Sequence, residues 1–265
     1  MSSNLPMAAN QSLLDNKVKV AMALLLTFVA GFVDIVGYIA VYHLFTANMT
    51  GTTVHLGHDL VIGQHVAAII ALSILGAFVL GSVGGRALIE VGARCHVRSI
   101  ASIAIAVELA LVLGFIAVFN NLSTAEKSST DICVLLILLA TAMGIQTATL
   151  TRIGPLTVHT TFVTGMLNKL SQLISHAIFR SFDLIRADEQ SETRLRIMRK
   201  QHTQEAIFVF FIWFTYFIAA VAGAIFYSSR GVRVMYLPCM LLGIAMIVDQ
   251  FQPLSLQEER DQMEL

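Results

Sequence analysis

The chain has 265 residues, of which 56% are hydrophobic and 13% charged, with equal numbers of basic and acidic side chains. Soluble proteins use about 25% charged residues, so this chain lacks the charged surface that a water-soluble protein of its length needs. A formal net charge of zero argues against nucleic acid as a partner. The three cysteines lie far apart in the sequence and predict neither a disulfide framework nor a metal site.

Apolar runs long enough to cross a bilayer define the predicted elements. At a rise of 1.5 Å per residue, about 20 apolar residues cross a hydrocarbon core about 30 Å thick. Five runs reach that length, and a sixth is shorter and contains Pro238. The six predicted membrane helices are Val18–Leu44, His65–Ile89, Val97–Phe119, Asp131–Ile153, Glu205–Tyr227 and Val232–Phe251. We therefore expect an all-α, polytopic transmembrane helix bundle of about six helices.

Basic residues near the helix ends predict the orientation of the chain. The connection between the first two predicted helices, residues 43–64, contains no Lys or Arg. The connection between the fourth and fifth is strongly basic, with Arg180, Arg186, Arg194, Arg196, Arg199 and Lys200. Arg230 and Arg233 are the exceptions on the predicted outer side. The balance predicts a bacterial inner-membrane protein with cytoplasmic tails, 1–17 and 252–265.

Two segments share a Thr-Gly pair in a Thr-rich, half-apolar setting. LFTANMTGTTVHLG (Leu44–Gly57) follows the first predicted helix, and VHTTFVTGMLNKLS (Val158–Ser171) follows the fourth. Each is followed by a helix with a small-residue face and then by a closing helix. The pattern predicts two membrane repeats of three helices, 18–121 and 131–251, the second of which includes a charged cytoplasmic linker, 183–204.

An odd number of helices per repeat implies that the two repeats are inverted in the membrane. We expect Thr50-Gly51 and Thr164-Gly165 to lie in broken or re-entrant segments that approach each other near the midplane. The alternative is that both are interfacial turns at which Thr-Gly begins an ordinary helix. Irregular backbone at that depth must be enclosed by protein or line a wet cavity. A Leu side chain at Gly51 or Gly165 is therefore expected to enter the crossing.

Two short motifs carry a family resemblance. A Gly-x-x-Asp helix followed by Met-Thr-Gly-Asn-x-Val is matched, with Thr52 in place of the Asn, by Gly31, Asp34, Met49, Thr50, Gly51 and Val54. A Gly-x-Gln followed by Thr-Thr-x-x-Thr-Gly is matched by Gly144, Gln146, Thr160, Thr161, Thr164 and Gly165. On these residues the chain resembles the YoaK family of six-helix bacterial membrane proteins of unknown function. The resemblance implies a fold and a membrane location but no activity.

Two carboxylates fall inside predicted membrane helices, Asp34 in the first and Glu108 in the third. A charged side chain at the bilayer centre costs roughly 2.5–3.5 kcal/mol on insertion scales, so it normally faces the bundle interior and has a partner. Asp34 is expected either to bind a proton or cation, or to hold a re-entrant segment by accepting from Thr or backbone N–H groups; the alternative to both roles is a protonated or capped Asp that only stabilises packing. Glu108 either forms a proton relay with Asp34 or is paired locally.

Three classes of function remain open. The inverted repeat favours a small secondary transporter or channel-like carrier for a small polar solute or anion. The alternative is a non-transporting scaffold or stress-related accessory protein. An intramembrane enzyme is the weakest class, because the chain has no nucleophile elbow, P-loop or HExxH motif. The expected substrate- or ion-binding residues are Asp34, Asn48, Thr50, Gly51, Glu108, Gln146, Thr161, Thr164 and Gly165.

The expected partners are the lipid bilayer and an unidentified solute or ion. No cofactor or metal is expected, and the sequence leaves a homodimer open.

Overall fold

The computed structural model describes residues 17–41, 43–95, 97–122, 128–149, 152–153, 156–157, 160–186 and 189–253. Within these ranges the chain is an α-helical bundle. Its helices are α1 (Lys17–Ala40), α2 (Met49–Val61), α3 (His65–Arg94), α4 (Ile100–Asn121), α5 (Ser129–Thr149), α6 (Val163–Arg186), α7 (Glu189–Arg230), the 3-10 helix η1 (Gly231–Met235) and α8 (Tyr236–Phe251). Two antiparallel strands of two residues each, β1 (Arg152–Ile153) and β2 (Leu156–Thr157), lie between α5 and α6. The predicted tails fall almost entirely outside the described residues.

Five helical stretches are long and apolar enough to cross a membrane: α1, α3, α4, α5 and the stretch Leu195–Phe251. The last stretch contains most of α7 together with η1 and α8. The sixth predicted helix, Val232–Phe251, corresponds to η1 and α8. Because α8 has 16 residues, it rises about 24 Å, less than the hydrocarbon core of about 30 Å. Five stretches rather than six therefore meet the length requirement within the described residues.

Two predicted helix ends extend too far. The first membrane helix ends at Ala40 rather than Leu44, because the backbone turns at His43, which has a φ of 52°. The fourth ends at Thr149, ahead of the strand pair. In both places apolar residues continue past the end of the helix. Of the predicted linker 183–204, the described residues are helical, and those from Glu189 onward are continuous with the rest of α7.

Helices α1 and α7 run parallel and cross at small residues. A Cβ atom on Gly31 of α1 would lie 2.6 Å from the carbonyl oxygen of Tyr216 in α7. One on Gly223, further along α7, would lie 2.5 Å from Ile35, further along α1. The backbones therefore approach to a distance that only glycine permits, as is common where membrane helices pack closely.

Helices α3 and α5 form a second parallel pair of the same kind. A Cβ on Gly81 would collide with the carbonyl of Thr141, and one on Gly85 would lie 3.0 Å from the Cα of Ile145. From the other side, a Cβ on Gly144 would collide with the backbone of α3. Of the predicted small-residue face of α3, Gly81 and Gly85 are thus used for close helix packing, whereas Gly76 and Gly84 have open space around them.

Helices α1 and α5 cross in opposite directions. A Cβ on Gly37 would lie 2.8 Å from Leu139, whereas Gln146, nearer the end of α5, donates a hydrogen bond from Nε2 to the carbonyl of Leu26, nearer the start of α1. The contact is buried, and Gln146 is fully enclosed. The amide of Gln146 therefore ties the two helices together.

Helices α4 and α8 also run antiparallel. Asp249, near the end of α8, accepts hydrogen bonds at Oδ2 from the backbone N–H of Ser102 (2.8 Å) and from its hydroxyl (2.7 Å), near the start of α4. A carboxylate at this position also stabilises the partial positive charge at the start of α4. The chain reverses between α7 and α8 at Gly231, which has a φ of +59°.

Candidate functional site

A cavity of about 580 Å³ lies where the first residues of α2 and α6 meet α1, α3, α5 and α7. Its volume falls in the range of small-molecule sites, roughly 300–1,000 Å³. Aromatic rings line it together with hydroxyl, amide and carboxyl groups. The lining residues are Asp34, Phe45, Ala47, Asn48, Met49, Thr50, Phe78, Thr147, Thr161, Phe162, Val163, Thr164 and Tyr216.

The cavity brings together five of the nine predicted site residues: Asp34, Asn48, Thr50, Thr161 and Thr164. Both Thr-Gly segments therefore contribute a threonine to the same space. Gly51 and Gly165 follow these threonines directly in the sequence but are not among the lining residues. Each Thr-Gly pair lies in the first turn of a helix, α2 or α6.

Gln146 and Glu108 lie away from the cavity. Gln146 is buried in the contact between α1 and α5, one residue before Thr147, which does line the cavity. Glu108 is fully buried on α4 and lies within electrostatic range of Cys239 on α8. The structure therefore does not join Glu108 to Asp34 in a hydrogen-bonded relay.

Asp34 holds the first Thr-Gly segment in place. Its Oδ1 accepts hydrogen bonds from the backbone N–H groups of Thr46 (2.9 Å) and Ala47 (2.8 Å) and from the Thr46 hydroxyl (3.2 Å). Its Oδ2 accepts from the hydroxyl of Tyr216 at 2.9 Å. Since α1 continues to Ala40, the chain must return past the end of that helix to reach Asp34. These bonds correspond to the second of the two predicted roles of Asp34.

The second Thr-Gly segment is held by a pair of hydroxyls. Thr147 of α5 hydrogen-bonds from its hydroxyl to the carbonyl of Met143 at 2.8 Å. Its Oγ1 also lies 2.6 Å from the Oγ1 of Thr161. Because the single hydroxyl proton of Thr147 is used on Met143, the proton between the two hydroxyls is donated by Thr161. One hydroxyl contact thus takes the place of the carboxylate in the first segment.

The two helices that begin at the cavity also differ in their caps. Asn48 is the N-cap of α2, and its side-chain oxygen accepts from the N–H of Gly51 at 3.2 Å. Phe162 directly precedes α6, and its ring offers no hydrogen-bond acceptor. The helix of the first segment therefore has a side-chain N-cap, whereas the helix of the second is preceded by an aromatic residue.

The neighbours of the two glycines belong to their own segments. A Cβ on Gly51 would lie 3.0 Å from Asn48 and 3.4 Å from Phe45, and a Cβ on Gly165 would collide with the ring of Phe162. The first contacts of a larger side chain at either position are therefore local. This differs from the expectation that such a side chain would enter the crossing between the two halves.

Sequence reasoning did not select Tyr216, which donates to Asp34, or the aromatic residues Phe45, Phe78 and Phe162. A signal for Tyr216 does exist, because a tyrosine inside the apolar run WFTYFIAA must find a partner for its hydroxyl. The three phenylalanines carry no such signal, since they resemble any other apolar residue of a membrane helix.

Long apolar helices, close crossings at glycine and carboxyl groups turned into the bundle define a polytopic α-helical membrane protein. Residues 22–248 match the family described as Protein of unknown function (DUF1275), and the chain belongs to this family. The chain is also similar to the UPF0700 transmembrane protein YoaK of Bacillus subtilis (strain 168), with 32% identity over 157 residues, or 58% of this chain and 67% of the relative. The resemblance to the YoaK family is thereby confirmed. No solved structure matches the chain significantly.

Proposed function

We propose that this protein is a small secondary transporter or channel-like carrier that binds a small polar solute or anion in the cavity between the two Thr-Gly segments. The observation that carries this proposal is that both halves of the chain supply residues to the lining of the cavity. Thr50 and Thr164 begin two different helices, in the two halves of the chain, and line the same cavity.

Twelve of the thirteen lining residues, all except Phe45, fall into pairs from matching places in the two halves. Asp34 of α1 corresponds to Thr147 of α5, and each holds the segment that follows its helix. Phe78 of α3 corresponds to Tyr216 of α7. The remaining pairs are Ala47 with Thr161, Asn48 with Phe162, Met49 with Val163, and Thr50 with Thr164. This correspondence supports an internal repeat.

The directions of the helices support an inverted arrangement of the repeat. Matching helices cross antiparallel, α1 with α5 and α4 with α8, whereas α1 pairs with α7 just as α5 pairs with α3. A two-fold axis in the membrane plane produces this pattern. We infer six crossings, with η1 and α8 forming the last, and cytoplasmic termini. In such folds a central site can be exposed to each side in turn.

The chemistry of the cavity indicates a solute that accepts hydrogen bonds. The starts of α2 and α6 carry partial positive charge and N–H groups without helical partners. Thr50 and Thr164 add hydroxyl groups, and aromatic rings provide apolar walls. Asp34 already accepts four hydrogen bonds, so the acceptor positions of its carboxyl oxygens are largely occupied by protein donors.

Reconstituted protein tests this proposal. Solutes that raise the thermal midpoint of the purified protein, taken from a metabolite and ion library, are measured for electrogenic or tracer uptake into proteoliposomes. Thr50→Val and Thr164→Val remove one hydroxyl each at nearly constant shape, and we expect each to reduce uptake at least about tenfold, as loss of a good hydrogen bond would. Thr53→Val is the matched control, because Thr53 is exposed on α2 and bonds only within its helix, to Met49.

Uptake that is equally fast in all three variants would contradict the proposal. The proposal would also fail if no solute stabilised the protein or crossed the membrane.

The inverted topology is tested separately by cysteine accessibility in a background without native cysteines. Gly57→Cys has open space around it, and Thr193→Cys is exposed on α7. We expect the first to react from outside the cell and the second from the cytoplasm. Labelling of both from the same side would rule out the inverted arrangement.

A further inference from the structure

Glu108 is a second carboxyl group inside the membrane, outside the cavity. It is 0% exposed, and within the described chain neither Oε1 nor Oε2 has a hydrogen-bond partner. Counted from the start of α4 at Ile100, it lies about 12 Å along the helix axis, close to the middle of a hydrocarbon core about 30 Å thick. The predicted alternative of a locally paired glutamate is therefore not what the described residues show.

The surroundings of Glu108 contain little charge. Helix α4 packs against α5, α8, α3 and η1. From α8, the thiol of Cys239 lies within electrostatic range of the carboxyl. Across the described parts of these four elements, no charged side chain acts on Glu108. Such a site strongly disfavours the ionised form of the carboxyl.

The same interface contains another buried carboxyl group, and this one has hydrogen-bond partners. Asp249 of α8 is also fully buried against α4, yet it accepts two hydrogen bonds from Ser102. When the sequences of α4 and α8 are aligned so that their buried positions match, Glu108 corresponds to Ala245, which is buried and apolar. The packing of these helices therefore accommodates an apolar residue at this depth. A carboxyl group without partners costs stability and contributes nothing that an apolar side chain would not.

We propose that Glu108 is a proton-binding site of the membrane bundle, separate from the solute cavity. With α4 and α8 closed, the carboxyl binds H⁺ and is buried as the neutral acid. When the two helices separate enough to admit water, the O–H bond breaks, the proton passes to water and the carboxylate remains. Its use as the coupling site for solute movement rests on the proposed transport function, whereas the titration itself does not.

Infrared difference spectroscopy of the full chain in lipid nanodiscs tests the site without any solute. A neutral carboxylic acid has a carbonyl stretch well separated from the carboxylate bands. We expect the wild type to show such a band that disappears as pH is raised, and Glu108→Gln to lack it. Glu90→Gln is the matched control and should keep the band, because Glu90 is exposed and paired with Arg94.

A second measurement uses the wild type alone, so that it does not depend on the folding of a variant. Dicyclohexylcarbodiimide reacts with neutral carboxyl groups in apolar surroundings. The acid proton moves to a carbodiimide nitrogen, the carboxylate oxygen adds to the central carbon, and the adduct rearranges to a stable N-acylurea. We expect peptide mass spectrometry to find this adduct at Glu108, with a labelling rate that falls as pH is raised.

A band that persists unchanged to alkaline pH, or no adduct on Glu108 in folded protein, would overturn the proposal. The two proposals also fail separately. If Glu108 titrates but no solute is taken up, the proposal of a proton site stands and the proposal of a transport function fails. Uptake in Glu108→Gln with the same dependence on a pH gradient as the wild type would remove the coupling role.

Discussion

The two Thr-Gly segments have matching positions but different anchors. The first is held by three hydrogen bonds from Thr46 and Ala47 to Asp34, and it starts a helix capped by Asn48. Within the described residues, the hydrogen bond that ties the second segment to α5 joins the hydroxyls of Thr147 and Thr161, and Phe162 precedes its helix. Segments with fewer protected hydrogen bonds open at lower free energy. We therefore expect the first segment to be the more rigid wall of the cavity and the second to open at lower free energy.

The largest expected effect comes from removing the anchors. Asp34→Ala leaves two backbone N–H groups and two hydroxyls without an acceptor, and we expect it to lower the free energy of unfolding by about 3–5 kcal/mol. Thr147→Ala removes one hydroxyl contact and should cost about 1 kcal/mol. Unfolding by SDS titration in mixed micelles measures both. Equal losses would mean that the two segments are anchored equally well.

Asp34→Asn is the control for the carboxylate itself. Its amide oxygen can still accept from Thr46 and Ala47, and its NH₂ group can donate to the oxygen of Tyr216. We expect a loss of about 1–2 kcal/mol, well below that of the alanine variant. A loss as large as for alanine would show that the negative charge, rather than the set of acceptors, holds the segment.

An intermediate effect is expected at the glycine crossings, where the two halves should behave alike. Gly31→Ala and Gly144→Ala each place a methyl group against the backbone of a neighbouring helix, and each should destabilise by about 1–3 kcal/mol. Gly84→Ala is the control, because nothing lies within 4 Å of its added Cβ, and it should be neutral or slightly stabilising. Clearly unequal effects at Gly31 and Gly144 would weaken the correspondence between the halves.

The smallest effect concerns the caps. Asn48→Ala removes the acceptor for the N–H of Gly51, and we expect about 1 kcal/mol of destabilisation and faster amide hydrogen exchange in the first turn of α2. Phe162→Ala removes no cap, so exchange in the first turn of α6 should change little. If instead exchange rises equally in both helices, the difference in capping is not what distinguishes the segments.

The main features of the bundle could be predicted from composition and run length, because apolar runs near 20 residues have few other uses. The paired Thr-Gly segments could also be found, since a repeated motif is a local feature. The end of α1 could not, because further apolar residues continue the run from Val41 to Leu44 and the return of Thr46 to Asp34 is a tertiary contact. Local composition does not encode such a contact.

The site residues show the same limit more sharply. Gln146 and Thr147 are adjacent on α5, and about 100° of helix rotation separates the buried contact with α1 from the cavity. The sequence offered both side chains, and only the packing of α5 against its neighbours decides which one lines the cavity. The partner of Tyr216 could not be predicted for a different reason, since Asp34 is 182 residues away in the sequence.

That separation also bears on how the protein is made. The hydroxyl of Tyr216 reaches Asp34 across 182 residues, and the pairs α1 with α7, α3 with α5 and α4 with α8 all join the first half of the chain to the second. At a synthesis rate of about 5–20 residues per second, α1 remains in the membrane for about 10–35 s before its partner emerges. During that interval the acidic side chain on α1 lacks the hydroxyl of Tyr216, and only the nearby groups of Thr46 and Ala47, together with water, lipid headgroups or the insertion machinery, can shield it. Maturation of this fold is therefore completed only after its last helices enter the bilayer.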